Sequence, residues 1–174
     1  LLLIKRGNAA KFRALKTIDE LKALKAGLGA QWTTTIVMQA LNFSVATGTD
    51  YEGLFGMLDA GRFDYFSRGI NEIYKEFAER SNLYPEMIIE PTKAVYLTTP
   101  SYFFVSPQYP HLADRIHRGL LAIIEDGTLD AEFDREFGGV IAAADLDHRR
   151  ILTIENNFLA PETPLGEARF WFRP

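Results

Sequence analysis

The chain has 174 residues, of which 47% are apolar and 24% charged, with a formal net charge of −4 and no cysteine. This composition is typical of a globular protein of one domain or two small lobes. It argues against nucleic-acid binding, which requires clustered Lys and Arg, and it excludes disulfide scaffolds and cysteine-based metal or redox sites.

The first part of the chain alternates strands with helices. Residues 1–4 form a strand-like apolar run, and Thr17 and Glu20 have the spacing of a capping box at a helix start. Residues 26–30 predict a strand, followed by a helix with its N-cap within residues 33–35. The apolar residues that share one face of this helix are Ile36, Val37, Ala40 and Leu41.

A second unit of the same kind follows. Residues 44–47 predict a strand, and Thr49 and Glu52 repeat the capping-box spacing before a helix that Gly61 ends. The apolar residues of that helix are Tyr51, Leu54, Phe55 and Leu58. The next strand is residues 63–67, and the helix after it carries Ile70, Ile73, Tyr74 and Phe77 on one stripe. This alternation predicts a parallel sheet, with residues 31–35 and 67–72 facing one crevice at its carboxyl edge.

The second part of the chain has a different pattern. Extended runs at residues 87–89, 94–97 and 102–105 are separated by prolines, which suits strands that cross between two lobes. Residues 111–126 then predict a long amphipathic helix, and residues 128–137 a shorter one. The inward face of the long helix is predicted as Leu112, Ile116, Leu120, Ile123 and Ile124. Residues 151–154 predict a last strand.

Three segments, together with the Thr-started helix, resemble a known family. They read Thr-Ile-Asp-Glu-Leu-Lys-Ala-Leu-Lys-Ala-Gly-Leu-Gly, Leu-Asp-Ala-Gly-Arg-Phe-Asp-Tyr and Leu-Ala-Asp-Arg-Ile-His-Arg-Gly-Leu-Leu-Ala-Ile-Ile-Glu-Asp-Gly-Thr. In combination they resemble the type II periplasmic solute-binding proteins of ABC transporters, in the extracellular family 3 or amino-acid-binding group. The similarity covers roughly residues 15–137.

The resemblance implies a division of the chain into lobes. It implies an α/β fold of the type II periplasmic-binding-protein kind, with one parallel-sheet lobe, flanking helices and an incomplete second lobe. Residues 13–96 would be the second, ligand-binding lobe of the family, and residues 1–12 and 97–174 an incomplete first lobe with hinge strands. The chain resembles a fragment truncated at its N-terminus, with a signal peptide lost upstream and a periplasmic or extracellular location.

The incomplete lobe has two further consequences. The Arg that pairs with a ligand α-carboxylate in the family would lie outside these residues. Sheet edges and apolar surface would also be left uncovered, which favours a homodimer.

The first group of candidate ligand-binding residues lies where residues 26–30 lead into the next helix. A helix N-terminus near Thr33 offers free backbone N–H groups and a partial positive charge, which suit an anion such as a carboxylate. Gln31, Thr33 and Thr34 would add side-chain hydrogen bonds, and Trp32 an apolar wall. Helix capping alone is an equally good explanation of the threonines.

The second group follows the strand at residues 63–67. It comprises Phe66, Ser67, Arg68 and Glu72, at the place where amino-acid binders of the family carry an acidic residue for the ligand ammonium. Arg68 could bind an anionic group, Glu72 could bind an ammonium, or the two could form a surface ion pair at i and i+4. One of Tyr65 and Phe66 would be core and the other would line the cleft, while Asp64 is predicted to be structural.

No catalytic, metal or cofactor site is predicted. The three histidines lack metal-ligand spacing, and no nucleophile elbow, Walker loop or Rossmann fingerprint is present. We therefore expect a non-enzymatic solute-binding component of an ABC-type transport system, with a small polar or amino-acid-like solute and a permease as partners. The alternatives are a ligand-sensing domain of a signalling receptor and, third, an enzyme of the same fold.

Overall fold

The computed structural model describes residues 1–172 of the chain. The strands are β1 (Leu2–Lys5), β2 (Ala26–Gly29), β3 (Val45–Gly48), β4 (Tyr65–Ser67), β5 (Met87–Ile89), β6 (Lys93–Leu97) and β7 (Arg150–Ile154). The α-helices are α1 (Ala9–Ala14), α2 (Ile18–Lys22), α3 (Thr33–Ala40), α4 (Tyr51–Asp59), α5 (Ile73–Arg80), α6 (Pro110–Glu125) and α7 (Thr128–Ala144).

Five strands form the main sheet, in the order β3-β2-β4-β1-β5. β2 is parallel to both β3 and β4, as the βα alternation predicts. β1 runs antiparallel to its two neighbours, β4 and β5. The remaining strands, β6 and β7, form a separate parallel pair.

β1 lies inside the main sheet, although the predicted domain division places residues 1–12 in the other lobe. The reason is the burial of consecutive side chains, since Leu2, Leu3 and Ile4 are all 0% exposed. Successive strand residues point to opposite faces, so Leu2 and Ile4 enter one hydrophobic cluster and Leu3 enters the other. A strand that is apolar on both sides is stable only where both faces are covered.

The helix starts agree with the sequence in part. Thr17 and Glu20 form the predicted capping box at α2. The predicted capping box of Thr49 and Glu52 is wrong, because Asp50 is the N-cap of α4 and accepts a hydrogen bond from Gly53 N at 2.8 Å. The predicted threonine cap of α3 is wrong, because Trp32 is the N-cap residue and no side chain caps the helix. Thr35 is buried instead, and its hydroxyl donates to the carbonyl of Gly29 at 2.7 Å.

The second part of the chain departs further from prediction. β5 joins the main sheet rather than crossing between lobes, residues 102–105 form no strand, and α7 extends to Ala144. The predicted inward face of α6 is only half-buried. Leu112 is 48% exposed, Ile116, Leu120, Ile123 and Ile124 are half-buried, and no residue of the helix is fully buried. α6 packs against α7, and its apolar stripe stays half-buried or exposed.

We expect Leu3→Ala to lower the free energy of unfolding by about 2–5 kcal/mol, because it leaves a cavity in the middle of the sheet. Urea unfolding followed by circular dichroism measures this loss. Leu83→Ala is the matched control, since Leu83 is 72% exposed and its truncation should stay within about 0.5 kcal/mol of the parent. Equal losses for the two variants would contradict the central position of β1.

Candidate functional site

A cavity of about 310 Å³ lies at the carboxyl ends of β2 and β4, where α3 begins. The β6–β7 pair closes its other side through Val95, Leu97 and Ile154. This volume is at the small end of ligand pockets, which span roughly 300–1,000 Å³. The cavity is therefore large enough for a small solute.

The lining divides into two parts by chemistry and burial. We call the first part the apolar interior; it consists of Leu21, Leu28, Met38, Val95, Leu97 and Ile154, all buried or half-buried. We call the second the polar rim; it consists of Thr34, Ser67, Arg68, Glu72 and Thr99, which are half-buried or exposed. Tyr65 lines the cavity beside the apolar interior and is 0% exposed.

Two carboxylates hold Arg68. Glu76 lies on α5, and Glu72 is the N-cap residue of the same helix. The Nε of Arg68 donates to Glu76 Oε2 at 2.7 Å and its Nη2 to Glu76 Oε1 at 2.6 Å, a bidentate pair. Glu72 Oε2 lies 3.0 Å from Nη2. The side chains of Arg68 and Glu76 are each only 10% exposed, so this is a buried ion pair. The predicted i, i+4 pair of Arg68 with Glu72 forms as well, beside it.

Aromatic rings surround the same guanidinium. Its Cζ lies 4.9 Å from the ring centroid of Trp32, 5.2 Å from that of Phe66 and 5.5 Å from that of Tyr51. Trp32 stacks on Phe66 with 6.0 Å between centroids and 15° between planes. Cation–π contacts of this kind add to the ion pair. Arg68 is thus fixed in position from several directions.

Gly29, at the end of β2, leaves room for the indole of Trp32 to pack against the strand. A Cβ atom built on Gly29 would come within 2.4 Å of Trp32 Cε2, closer than atoms can approach. The last residue of β2 therefore has to be glycine for the indole to cover both the strand end and Arg68.

The ionisation of this cluster follows from its contacts. Burial acts to raise the pKa of Glu76, but hydrogen bonds from Arg68 and Tyr51 and the positive charge of Arg68 hold this pKa below its usual value. The Tyr51 hydroxyl donates to Glu76 Oε1 at 2.6 Å. Burial, together with this bond, raises the pKa of Tyr51 to about 12. Glu76 is therefore an anion and Tyr51 a neutral donor at neutral pH.

Glu72 is the carboxylate that remains accessible. Its side chain is 44% exposed, and its contacts with Arg68 and with the backbone N–H of Gly69 at 3.1 Å both use Oε2. One guanidinium thus faces two carboxylates, Glu72 and Glu76, so these three side chains together carry one negative charge in excess. Leu1 also lines the cavity, and burial lowers the pKa of its α-amino group to about 6, so this group is mostly neutral at neutral pH. Since Glu72 belongs to the polar rim, this excess lies at the cavity.

The structure brings most of the predicted site residues together. Trp32, Thr34, Ser67, Arg68 and Glu72 all line the cavity. The fit is closest for the second predicted group, which follows β4.

The remaining predicted residues lie elsewhere. Gln31 is exposed and lines a neighbouring cavity of about 350 Å³, while Thr33 is exposed and lines neither. Phe66 is fully buried beneath Trp32, and Tyr65 lines the cavity in its place. Glu76 was not singled out from the sequence, although it lies one helical turn beyond Glu72 and so can reach the same partner.

The described residues do not meet the requirements of a metal site or of a membrane-spanning helix. Within residues 1–172, no group of three or more His, Asp or Glu side chains is arranged to hold a metal ion. Asp64 is structural, as predicted, because it accepts from Lys25 N at 2.8 Å and pairs with Lys11 at 2.7 Å. No helix in this part of the chain has the length and apolar character needed to span a membrane.

We expect Arg68→Met to lower the free energy of unfolding by about 3–5 kcal/mol, because it leaves the Glu76 carboxylate buried without a partner. The double variant Arg68→Met/Glu76→Leu should recover most of this loss, since it removes both charges. Urea unfolding of the parent, single and double variants measures the coupling. A double variant no more stable than the single one would show that the pair is not the source of the loss.

We also expect the free energy of unfolding to depend on pH through the ionisation of Glu76. Its pKa is lower in the folded chain than in the unfolded one, so its contribution to stability is complete above about pH 4.3, the ordinary value for Glu, and disappears as the pH falls through the folded-state pKa. Unfolding free energy measured from neutral to acid pH should fall less steeply in Glu76→Gln than in the parent. Parallel curves would contradict this assignment.

The chain is similar to known proteins in its three-dimensional structure, but not significantly in its sequence. The chain matches no protein-family model, and no curated protein is significantly similar to it. Among solved structures, it is similar to an ancestral arginine-binding protein bound to arginine, with 18% identity, a TM-score of 0.50, and coverage of 78% of this chain and 58% of the other. It is also similar to a binding component of an ABC transporter from Wolinella succinogenes DSM 1740 complexed with lysine, with 17% identity, a TM-score of 0.50, and coverage of 78% and 57%.

Both structures are named as binding proteins. The chain spans less than two thirds of the length of either protein. At these identities the similarity is one of fold, so the resemblance inferred from the sequence motifs is confirmed at that level. The chain has the mixed α/β fold of a type II periplasmic-binding-protein lobe with its flanking helices.

Proposed function

We propose that the chain binds a small solute that carries an ammonium group, as the ligand-binding lobe and part of the second lobe of a two-lobed solute-binding protein. The observation that carries the proposal is the charge of the polar rim. Arg68 already has a bidentate carboxylate partner in Glu76, whereas Glu72 is 44% exposed and uses only Oε2 in its two contacts. A cation therefore finds a carboxylate at the cavity, and an anion finds an arginine that is already neutralised.

Arg68 and Glu72 are the two side chains that could bind a charged solute. They differ in the contacts that would have to break on binding. To bind an anionic solute, Arg68 would have to break two short hydrogen bonds with a side chain that is 10% exposed. The carboxylate left behind would then be buried and unpaired, which is strongly unfavourable. Binding of an ammonium by Glu72 breaks no contact inside the cluster. We therefore assign the ligand charge as positive at this point of the cavity.

The cavity has two sides that belong to different parts of the fold. One side is the carboxyl end of the main sheet, with Trp32, Thr34 and Ser67, and the other is formed by Val95 and Leu97 of β6 with Ile154 of β7. A solute in this cavity contacts both sides. Such contacts favour the state in which the two parts are close together, which is the basis of hinge closure over a ligand.

The division into lobes that fits this mechanism is close to the predicted one. Residues 13–96 with β1 form the ligand-binding lobe, and residues 97–174 belong to the second lobe, with β6 and β7 at the hinge. We infer that the protein supplies solute to a permease of an ABC-type system in a periplasmic or extracellular compartment. The name of the Wolinella protein supports this inference. Pairing of two chains through exposed apolar surface stays a prediction.

Titration of the 15N-labelled chain by nuclear magnetic resonance tests the proposal. Probes with an ammonium group, such as lysine, arginine and 1,4-diaminobutane, should shift the amides of residues 67–72, and succinate should not. Glu72→Gln should weaken binding of the responsive probes about ten- to hundredfold, because a hydrogen bond to a charged group is lost.

Glu79→Gln is the matched control, because Glu79 lies one turn beyond Glu76 on α5 and does not line the cavity. Its affinities should equal those of the parent. Binding of succinate in preference to the amines, or equal loss in the two variants, would overturn the assignment of Glu72.

A further inference from the structure

Two cavities meet at the side chain of Trp32. The candidate site has a volume of about 310 Å³ and the neighbouring cavity about 350 Å³, and Trp32 alone among residues 1–172 lines both. We call the neighbouring one the second cavity; it lies at the ends of β2 and β3 and is lined by Gly29, Gln31, Gly48, Thr49 and Tyr51. Trp32 is half-buried, so part of its side chain is accessible to a solute.

The contacts of the indole place it between the two cavities. On one side it rests on Gly29, which lines only the second cavity, because a Cβ atom built there would come within 2.4 Å of Cε2 and 2.5 Å of Nε1. On the other side it lies over Arg68, which lines only the candidate site, with 4.9 Å between Cζ and the ring centroid. The indole therefore separates the two spaces.

The indole is a fixed wall and not a movable gate. It stacks on Phe66 with 6.0 Å between centroids and 15° between planes, and Phe66 is itself 0% exposed. Turning the side chain away from Gly29 would give up this stacking and the cation–π contact with Arg68, both of which are favourable. A solute in the candidate site thus meets a rigid boundary at Trp32.

The second cavity offers different chemistry from the candidate site. No charged side chain lines it. Gln31 and Thr49 are exposed and present an amide and a hydroxyl, whereas the hydroxyl of Tyr51 already donates to Glu76 Oε1 at 2.6 Å. This lining suits an uncharged hydrogen-bonding group and provides no anchor for an ammonium group.

We propose that Trp32 sets the upper size limit of the solute, because it confines an ammonium compound bound at Glu72 to the candidate site and keeps the uncharged end of a longer compound out of the second cavity. This inference rests on the proposed function, since it takes the ammonium site at Glu72 as given. It adds the permitted length of the solute and makes Trp32 a specificity-determining residue.

Two probes of different length test the limit. 4-Aminobutanamide and 8-aminooctanamide both carry an ammonium group and a terminal amide, and they differ by four methylene groups. The parent chain should bind the short probe at least about tenfold more tightly, because even one excess methylene in a closed pocket has an effect of this size. In titrations of the 15N-labelled parent, neither probe should shift the amides of residues 48–51.

Replacing Trp32 with a small residue should reverse the preference. In Trp32→Ala the two cavities join into a space about twice as large as the candidate site, while Glu76 still holds Arg68. The variant should bind 8-aminooctanamide at least about tenfold more tightly than the parent does, and the amides of residues 48–51 should now shift. General loss of packing would weaken both probes and could not produce this gain.

Two further variants complete the experiment. Trp32→Leu keeps an apolar side chain against Phe66 and should show the same gain to a smaller degree, so it carries the test if circular dichroism shows that Trp32→Ala is unfolded. Neither variant removes a helix cap, because the side chain of Trp32 does not cap α3. Gln31→Ala is the matched control, since Gln31 lines the second cavity and the indole stays in place; its preference should equal that of the parent.

The outcomes separate the two proposals. Equal affinity of the parent for both probes, shifts at residues 48–51 in the parent, or an unchanged preference in both folded Trp32 variants overturns the size limit. Each of these results leaves the ammonium site at Glu72 standing, because the parent binds the short probe in all of them. Absence of amide shifts with either probe at millimolar concentration, in the parent and in every variant, overturns the proposed function itself.

Discussion

The structure depends on the position of β1 between β4 and β5. Its side chains alternate between the two hydrophobic clusters, so one strand of four residues connects both halves of the core. Its antiparallel pairing with β4 also sets the site, because Leu2 lies opposite Ser67 and Arg68 N donates to the carbonyl of Leu1 at 2.9 Å. The backbone that carries the polar rim is thus an extension of the most buried part of the sheet.

This placement explains how a buried charge can be tolerated. Arg68 follows directly after β4, so its backbone is fixed, and its side chain lies against Trp32 and Phe66. Glu76 and Tyr51 come from two different helices and satisfy the guanidinium and the carboxylate together. A cluster in which every member has a partner costs little to bury and is rigid. A rigid, fully paired arginine is a poor ligand for an incoming anion and a good support for the carboxylate next to it.

Local signals in the sequence predicted most of the helices and strands. They did not predict which of these elements contact one another. The capping box of Thr17 and Glu20 is formed by neighbours in the chain, and it was predicted correctly. The threonine cap at α3 failed because Thr35 has a partner in β2, the carbonyl of Gly29. The apolar stripe of α6 was read correctly as amphipathic, but periodicity does not say whether a second surface covers it. Glu76 was missed as a site residue because its role comes from tertiary packing.

The pairing of Arg68 with Glu76 has a consequence for how this fold can change its ligand. Glu76 does not line the cavity, yet it decides whether the guanidinium beside the cavity is available. Loss of that one carboxylate would remove the excess negative charge beside the cavity and leave the guanidinium paired with Glu72 alone within this cluster. The charge that the cavity offers to a solute then depends on Glu76, a residue that does not contact the solute. A comparison limited to the cavity-lining residues would not detect a substitution of Glu76.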